Sequence, residues 1–318
     1  MQNFFLPASE LQHHHALSCK APVTADISAL AKQIAILALR SLHAELVLYP
    51  KPGLVSLRDN GSHTDMTAMT FFRSLFSLRH YFLAMANAGI GDGDFQTLKN
   101  LGIVAEQQML RATQGVNTHR GAIFCLGLLC AAAGRCLSQG VALRAQNIRA
   151  ALLEHWGAEL LAHSNAALKL IAEIHPHKLQ SHGLQVAQSY AISGAREEAA
   201  AGFPSVFELA LPRLMQSLDQ GRSQTEAQID SLFVLMAHMH DTNLYYRGGI
   251  AAAEFSRQSA RAFLAAGGTE QADWLAQAEH CHREFVQRRL SPGGAADLLA
   301  ASWFIYQVQL MPLPPAYA

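Results

Sequence analysis

From Asp26 onward, apolar residues return every three or four positions, and no series of alternating strands with turn spacing interrupts them. That period admits helices, so the fold class is all-α. Ala29, Ile34 and Leu37 continue through Leu42 and Leu46 until Pro50 and Pro52 stop the first helix. The spacing predicts a second helix from Asp65 to Ala88, ended by glycines at 89, 91 and 93, and a third over Thr97 to Ala112. A fourth, Arg120 to Cys136, is apolar almost all round, as expected of a helix at the centre of a bundle. Two more fill 142–175, and others cover 195–200 and 205–219. The capping-box pattern Ser223-Gln-Thr-Glu226 opens a helix whose Ile229, Leu232, Phe233, Met236 and Met239 face inward and which stops near His240. Ser291-Pro292 supplies a cap and a first-turn proline for the last helix.

The architecture expected is a multi-helix bundle around a buried central helix. Residues 1–24 read as a loosely held arm, 25–312 as a single all-α domain and 313–318 as a short tail. His13, His14 and His15 in the arm read as a solvated tail rather than a metal site, and His175, His177 and His182 lie in a less periodic excursion.

Half the 318 residues are apolar and 15% are charged, enough to bury a large core. Lysine plus arginine (24) equals aspartate plus glutamate (24), so no global field favours nucleic acid or an acidic membrane. A polyanion must therefore be met by a local pocket. The five cysteines form no CxxC pair and read as reduced core thiols. The opening residues lack a basic leader followed by an apolar stretch, so a cytoplasmic location is expected. The run Ala122 to Gly134 is shorter than the roughly 20 residues that cross a bilayer.

Polar residues break the pattern at four helix junctions. In the first, prolines stiffen a loop presenting Lys51 and Arg58, and Ser62, His63 and Asp65 meet the next helix N-terminus, where phosphate could sit. A plain helix cap with a surface lysine explains the same residues about as well. The second junction makes Asn117 or Thr118 a cap and puts His119 and Arg120 in the first turn of the most buried helix. A cation there opposes the helix dipole, so Arg120 makes more sense as an anion ligand than as a stabiliser. Glu106, on the preceding helix, reads by itself as an exposed carboxylate.

In the third junction His238 and His240, two apart, point to different sides and do not make a zinc pair. Asp241 and Asn243 offer hard oxygens of the kind magnesium takes, with Arg247 ready for phosphate; a helix cap and turn is the plainer reading. In the fourth, Gly293 and Gly294 weaken a first turn by about 1 kcal/mol each relative to alanine, yet would let an anion approach backbone amides. Asp297 follows on the same helix. P-loop, dinucleotide, GxSxG, HExxH and EF-hand signatures are missing from the sequence. Residue chemistry alone gives a helical protein whose pocket, at clustered helix N-termini, suits a phosphorylated ligand with a divalent ion.

At these junctions the sequence resembles the triphosphoribosyl-dephospho-CoA synthase family. The blocks are Pro50-Lys-Pro-Gly-Leu-Val55, Gly61-Ser-His-Thr-Asp-Met66, Gly115-Val-Asn-Thr-His-Arg-Gly121, Gly202-Phe-Pro204, Asp241-Thr-Asn243 with Arg247-Gly-Gly249, and Ser291-Pro-Gly-Gly-Ala-Ala-Asp-Leu298. They run in order over about residues 30–310. Gln114 and Ala295 depart from the pattern without removing a charge. The wording from Tyr49 to Ser56 and from Asp59 to Asp65 looks closer to the malonate decarboxylase branch than to the citrate lyase branch.

The resemblance implies a transferase whose substrates are ATP and dephospho-CoA. The ribose 2'-hydroxyl of dephospho-CoA attacks the anomeric carbon of ATP, adenine leaves and the triphosphate stays on the product. A partner transferase would then load that product onto an acyl carrier protein; a homodimer is left open. Such glycosyl transfer needs a base, an acid and a held triphosphate. Lys51, Arg58, Arg120 and Arg247 are the phosphate ligands expected, with Ser62, Asn117, Thr118, Asn243, Ser291 and the amides of Gly293 and Gly294 around them. Asp65, Asp241 and Asp297 are expected to hold Mg2+, and Glu106 to act as base. His63 or His119 would protonate adenine. A ribosyl hydrolase, or a helical module that only binds nucleotide, are the competing readings; adenine without a joined product marks the first, and ATP binding without turnover the second.

Overall fold

The computed structural model describes residues 21–173 and 194–311, with side chains over 27–166 and 194–311. The histidine triplet, most of the arm, nearly all of the 175–194 excursion and the 313–318 tail lie outside the described residues. Among those described there are twelve α-helices and no strand. In chain order they are α1 (Ala21–Val47), α2 (Ala68–Ser77), α3 (Tyr81–Ile90), α4 (Phe95–Ala112), α5 (Arg120–Ser138) and α6 (Ala145–Glu173). Then come α7 (Ala195–Ala200), a π-helical turn Ser205–Ala210 running into α8 (Leu211–Asp219), α9 (Gln224–His238), α10 (Thr242–Ala265), α11 (Trp274–Gln287) and α12 (Gly293–Gln309).

The expected central helix is α5. Its residues from Ala122 to Ala133, Phe124 apart, are buried, and it packs against α1, α3, α4, α6 and α12. The α3–α5 crossing is a backbone-to-backbone approach: a Cβ on Gly134 would fall 2.1 Å from the Ala86 carbonyl, and one on Gly89 1.9 Å from that of Ala131. Only glycine fits there. At 19 residues α5 is also long and apolar enough to span a membrane, which corrects the shorter estimate; 78% of its apolar window is buried inside the bundle, as for a core helix. One apolar cluster runs from Leu30 on α1 to Val308 on α12.

Several boundaries differ from the periodic reading. The first helix starts at Ala21, inside the expected arm. The segment expected as one helix over 65–88 is two, breaking at 78–80 without glycine or proline. The break lets Ser74 on α2 bond His119 while Tyr81 on α3 donates to the Ile123 carbonyl, so packing on α5 sets it. Conversely 145–173 is one helix where two were expected. Helix α10, which the sequence reading stops short of, kinks where Gly248 and Gly249 leave helical geometry (φ −155° and +66°). Helix α9 starts as expected: Ser223 accepts from the Glu226 amide, and Glu226 reaches back to the Ser223 amide. The cysteines at 125, 130, 136 and 281 are free and buried.

Candidate active site

The N-terminal ends of α5, α10 and α12 converge on a cavity of about 740 Å³, with α4 along one wall. Asn117 Oδ1 accepts from the Arg120 amide at 3.3 Å, starting α5. The next three residues line the cavity, and each carries a buried polar atom with no hydrogen-bond partner among the described residues: Thr118 Oγ1, His119 Nε2 and Arg120 Nε. Unsatisfied buried polar atoms are costly, and three in succession mark a surface shaped for a polar ligand. The His119 ring is fixed by Ser74 Oγ at 2.6 Å from Nδ1 and by an edge contact with Phe71. Burial, aided by the Lys51 charge, pulls its pKa down to about 3. His119 is therefore a neutral imidazole near pH 7.

Asp241 ties two helix ends together. Its Oδ1 accepts from the Asn243 amide at 2.9 Å and the Asn243 side-chain amide at 3.0 Å, capping α10, while Oδ2 accepts from the Ala295 amide at 3.0 Å in the first turn of α12. A Cβ on Gly294 would lie 3.1 Å from the Asp241 carboxyl carbon, so this glycine admits a carboxylate from the protein itself. Two expectations change. The Gly294 and Ala295 amides of α12 serve Asp241 rather than a phosphate, and Asp241, with both oxygens engaged and 3% exposed, is a structural cap rather than a metal ligand. Ser291 caps nothing either, since α12 starts from Pro292 without a side-chain cap.

Asp297, further along α12, does the same for α5 but stays open to the cavity. It accepts from the Ala122 amide, and a Cβ on Gly121 would fall 2.0 Å from its Oδ2. Burial first, then the charges of Glu45 and Asp241, push its carboxyl well above the usual carboxylate range. It therefore holds its proton to higher pH than an ordinary aspartate.

Glu45, also on the cavity wall, forms a buried ion pair with Lys51. Lys51 is 1% exposed, donates to both the Glu45 carboxylate and the Glu45 carbonyl, and does not line the cavity. It is therefore a buried counter-ion, not the phosphate ligand expected; burial lowers its pKa, and Glu45 opposes that shift. Arg58 stacks over Tyr49 at 4.4 Å on the exposed face of the loop, and Ser62 Oγ donates to the Leu290 carbonyl at 2.6 Å. Neither side chain lines the cavity.

At the rim, Arg247 donates to His63 Nδ1 at 3.2 Å and to the Arg289 carbonyl at 3.0 Å. Arg247 also approaches His63 Nε2 at 3.5 Å, and Nε2 lies 2.8 Å from Ser291 Oγ. Burial and the Arg247 charge lower the His63 pKa, so it too is neutral near pH 7. Asp65 is exposed, 3.6 Å from His63, and outside the cavity lining. Glu106 and Arg120 pair across the cavity wall.

The expected magnesium set of Asp65, Asp241 and Asp297 therefore does not converge, and no group of three potential ligands among the described residues could hold a metal. The residues do not fit a preformed metal cage. Sequence reasoning also missed Glu45, Lys99, His163 and Arg196, all on the cavity wall. Glu45 sits inside a regular helical pattern, and the others lie outside the four junctions, so nothing local marked them.

A cavity at converging helix ends in an all-α bundle, with a carboxyl of raised pKa and several cationic side chains on a largely apolar wall, marks a helical enzyme suited to anionic substrates, without P-loop or dinucleotide signatures. The family model described as CitG: ATP:dephospho-CoA triphosphoribosyl transferase matches residues 31–312. The chain belongs to that family, and its activity is that of a triphosphoribosyl-dephospho-CoA synthase-type transferase using ATP and dephospho-CoA. Relatives named "Probable 2-(5''-triphosphoribosyl)-3'-dephosphocoenzyme-A synthase" include one from Acinetobacter calcoaceticus, 38% identical over 89% of this chain and 94% of its own. One from Pseudomonas fluorescens is 38% identical over 93% and 96%, and one from Vibrio cholerae 36% over 88% and 89%. No solved structure matches the chain. The expected malonate decarboxylase branch is overturned: the matching family carries the citrate lyase-associated name CitG, and the relatives' names do not mention malonate decarboxylase.

Proposed function

We propose that this cavity performs the transfer with Glu106 as base and Asp297 as acid, and that the product supplies the prosthetic group of citrate lyase. The observation that carries the reading is Asp297: a carboxyl open to the cavity, its pKa raised by burial and then by the charges of Glu45 and Asp241, beside the unpartnered polar atoms of Thr118, His119 and Arg120. The bond between the dephospho-CoA 2'-oxygen and the anomeric carbon of ATP forms as the bond from that carbon to adenine breaks. Glu106 takes the hydroxyl proton, and Asp297 gives its proton to the departing adenine. The two neutral histidines, His63 and His119, hold polar atoms in place rather than supply that proton.

Arg120 and Arg247 receive the triphosphate. A polyanion competing for Arg120 loosens its pairing with Glu106, so substrate arrival frees the base. Magnesium enters this reading with ATP, not through a protein-built site. The reading also keeps the cavity within one catalytic domain and the reaction in the cytoplasm.

The test is to incubate purified protein with ATP, magnesium and dephospho-CoA, following adenine and product mass together. A product equal to both substrates minus adenine is expected. Adenine without that product, or ATP binding without turnover, overturns the mechanism. For the pathway, the product and a partner transferase should add the matching mass to the apo acyl carrier protein of citrate lyase.

A further inference from the structure

The cavity continues along α4, away from Arg120, to a second end, lined by Lys99 and Arg196, that the mechanism above does not use. Lys99, Ile103 and Glu106 share one face of α4, and all three line the cavity. Seven residues at 1.5 Å each place the Lys99 turn about 10 Å along the helix from the Glu106 turn. Facing Lys99 are His163 on α6 and Arg196 on α7. Arg196 Nε donates to His163 Nε2 at 3.2 Å, so the imidazole accepts and carries no charge; burial and then the charges of Arg196 and Lys99 lower its pKa. Neither Arg196 nor Lys99 has a carboxylate partner among the described residues. The acids at this end are Glu197 and Glu198, and Glu198 is bonded to the Ser205 amide and hydroxyl. Arg196 is half-buried and burial lowers its pKa, so an anion beside it would offset a desolvation cost, and the exposed Lys99 stands at the same end to share it.

Resting on the proposed reaction, we infer that the Lys99–Arg196 end binds the diphosphate of dephospho-CoA, while the Arg120–Arg247 end binds the triphosphate of ATP. The chemistry requires two such ends. When the two riboses are joined, their phosphate chains leave from opposite 5' carbons, with the reacting atoms between them. Along α4, Glu106 lies on the side of the α5 N-terminus and Lys99 two turns beyond it. Phe95, Leu98 and Pro204 beside Lys99 and Arg196 give the apolar pantetheine arm a wall to follow past the diphosphate.

The experiment measures KM for each substrate, and binding of dephospho-CoA and ATP by calorimetry, in the unsubstituted protein, Lys99→Glu and Lys99→Arg. Lys99 is exposed, so folding is not at stake, and ATP binding reports an intact cavity. Lys99→Glu should weaken dephospho-CoA by about 10-fold or more and leave ATP within about 3-fold, with Lys99→Arg close to the unsubstituted protein. An unchanged dephospho-CoA affinity, or an equal loss for ATP, overturns the assignment while adenine release and joined product by the unsubstituted protein leave the reaction standing. Failure of the unsubstituted protein to bind dephospho-CoA or form that product overturns both.

Discussion

Glu106 and Arg120 hold each other across the cavity wall, and their charges are useful only once a substrate separates them. Glu106→Gln keeps the size and one acceptor but cannot take a proton. Its kcat should fall by about 10²- to 10⁴-fold while KM for ATP stays within a few-fold, because Arg120 is then free for phosphate. Steady-state kinetics with ATP varied checks this, and full turnover by the variant removes Glu106 as base. Arg120 was legible because a cation in a first helical turn opposes the dipole and asks for an anion. Lys51 was misread for a matching reason. A lysine between two prolines looks presented to solvent, and only the fold shows Glu45, six residues earlier, closing on it in the core. Sequence displays charge and omits the partner.

At the scale of the helix, the organising device is a carboxylate on one element capping the N-terminus of another: Asp241 from the start of α10 onto α12, and Asp297 from α12 onto α5. Both need a glycine opposite, and Gly121 is the tighter case. Gly121→Ala places a Cβ 2.0 Å from Asp297 Oδ2, so the carboxylate must leave the α5 amides. Activity should drop by about 100-fold or more with helical content retained by circular dichroism, as expected when a catalytic group moves by around 1 Å. Gly157→Ala, inside α6 with its nearest neighbour 3.8 Å away, is the contrast: activity unchanged and stability raised by up to about 1 kcal/mol in urea titration. The capping box of α9 was readable because both partners lie within four residues. The cross-helix caps were not, since 54 residues separate Asp241 from Ala295 and Gly293-Gly294 looked open to a ligand. The α2–α3 break was hidden likewise, being set by contacts with α5 instead of a local breaker.

Across the whole molecule, the α1, α10 and α12 segments, far apart in sequence, bring Glu45, Asp241 and Asp297 into one poorly solvated region, and the fold bears the resulting repulsion. Asp297 has its pKa raised in the folded chain above the ordinary aspartate value of 3.8. The folded state therefore holds a proton that the unfolded chain releases. Its contribution to stability is complete below about pH 4 and is lost as pH rises through the folded pKa. Asp297→Asn keeps an acceptor for the Ala122 amide and removes the charge. Relative to the unsubstituted protein, its Tm should therefore rise as pH increases above about 4, even as adenine release is lost. His119 gives the opposite slope: its depressed pKa of about 3 costs stability as pH falls below the ordinary histidine value of 6.5. Measuring both chains across the range cancels that common term and leaves Asp297. A Tm difference that does not change with pH would mean that Asp297 is ionised in the folded protein, and adenine would then have to draw its proton from another group.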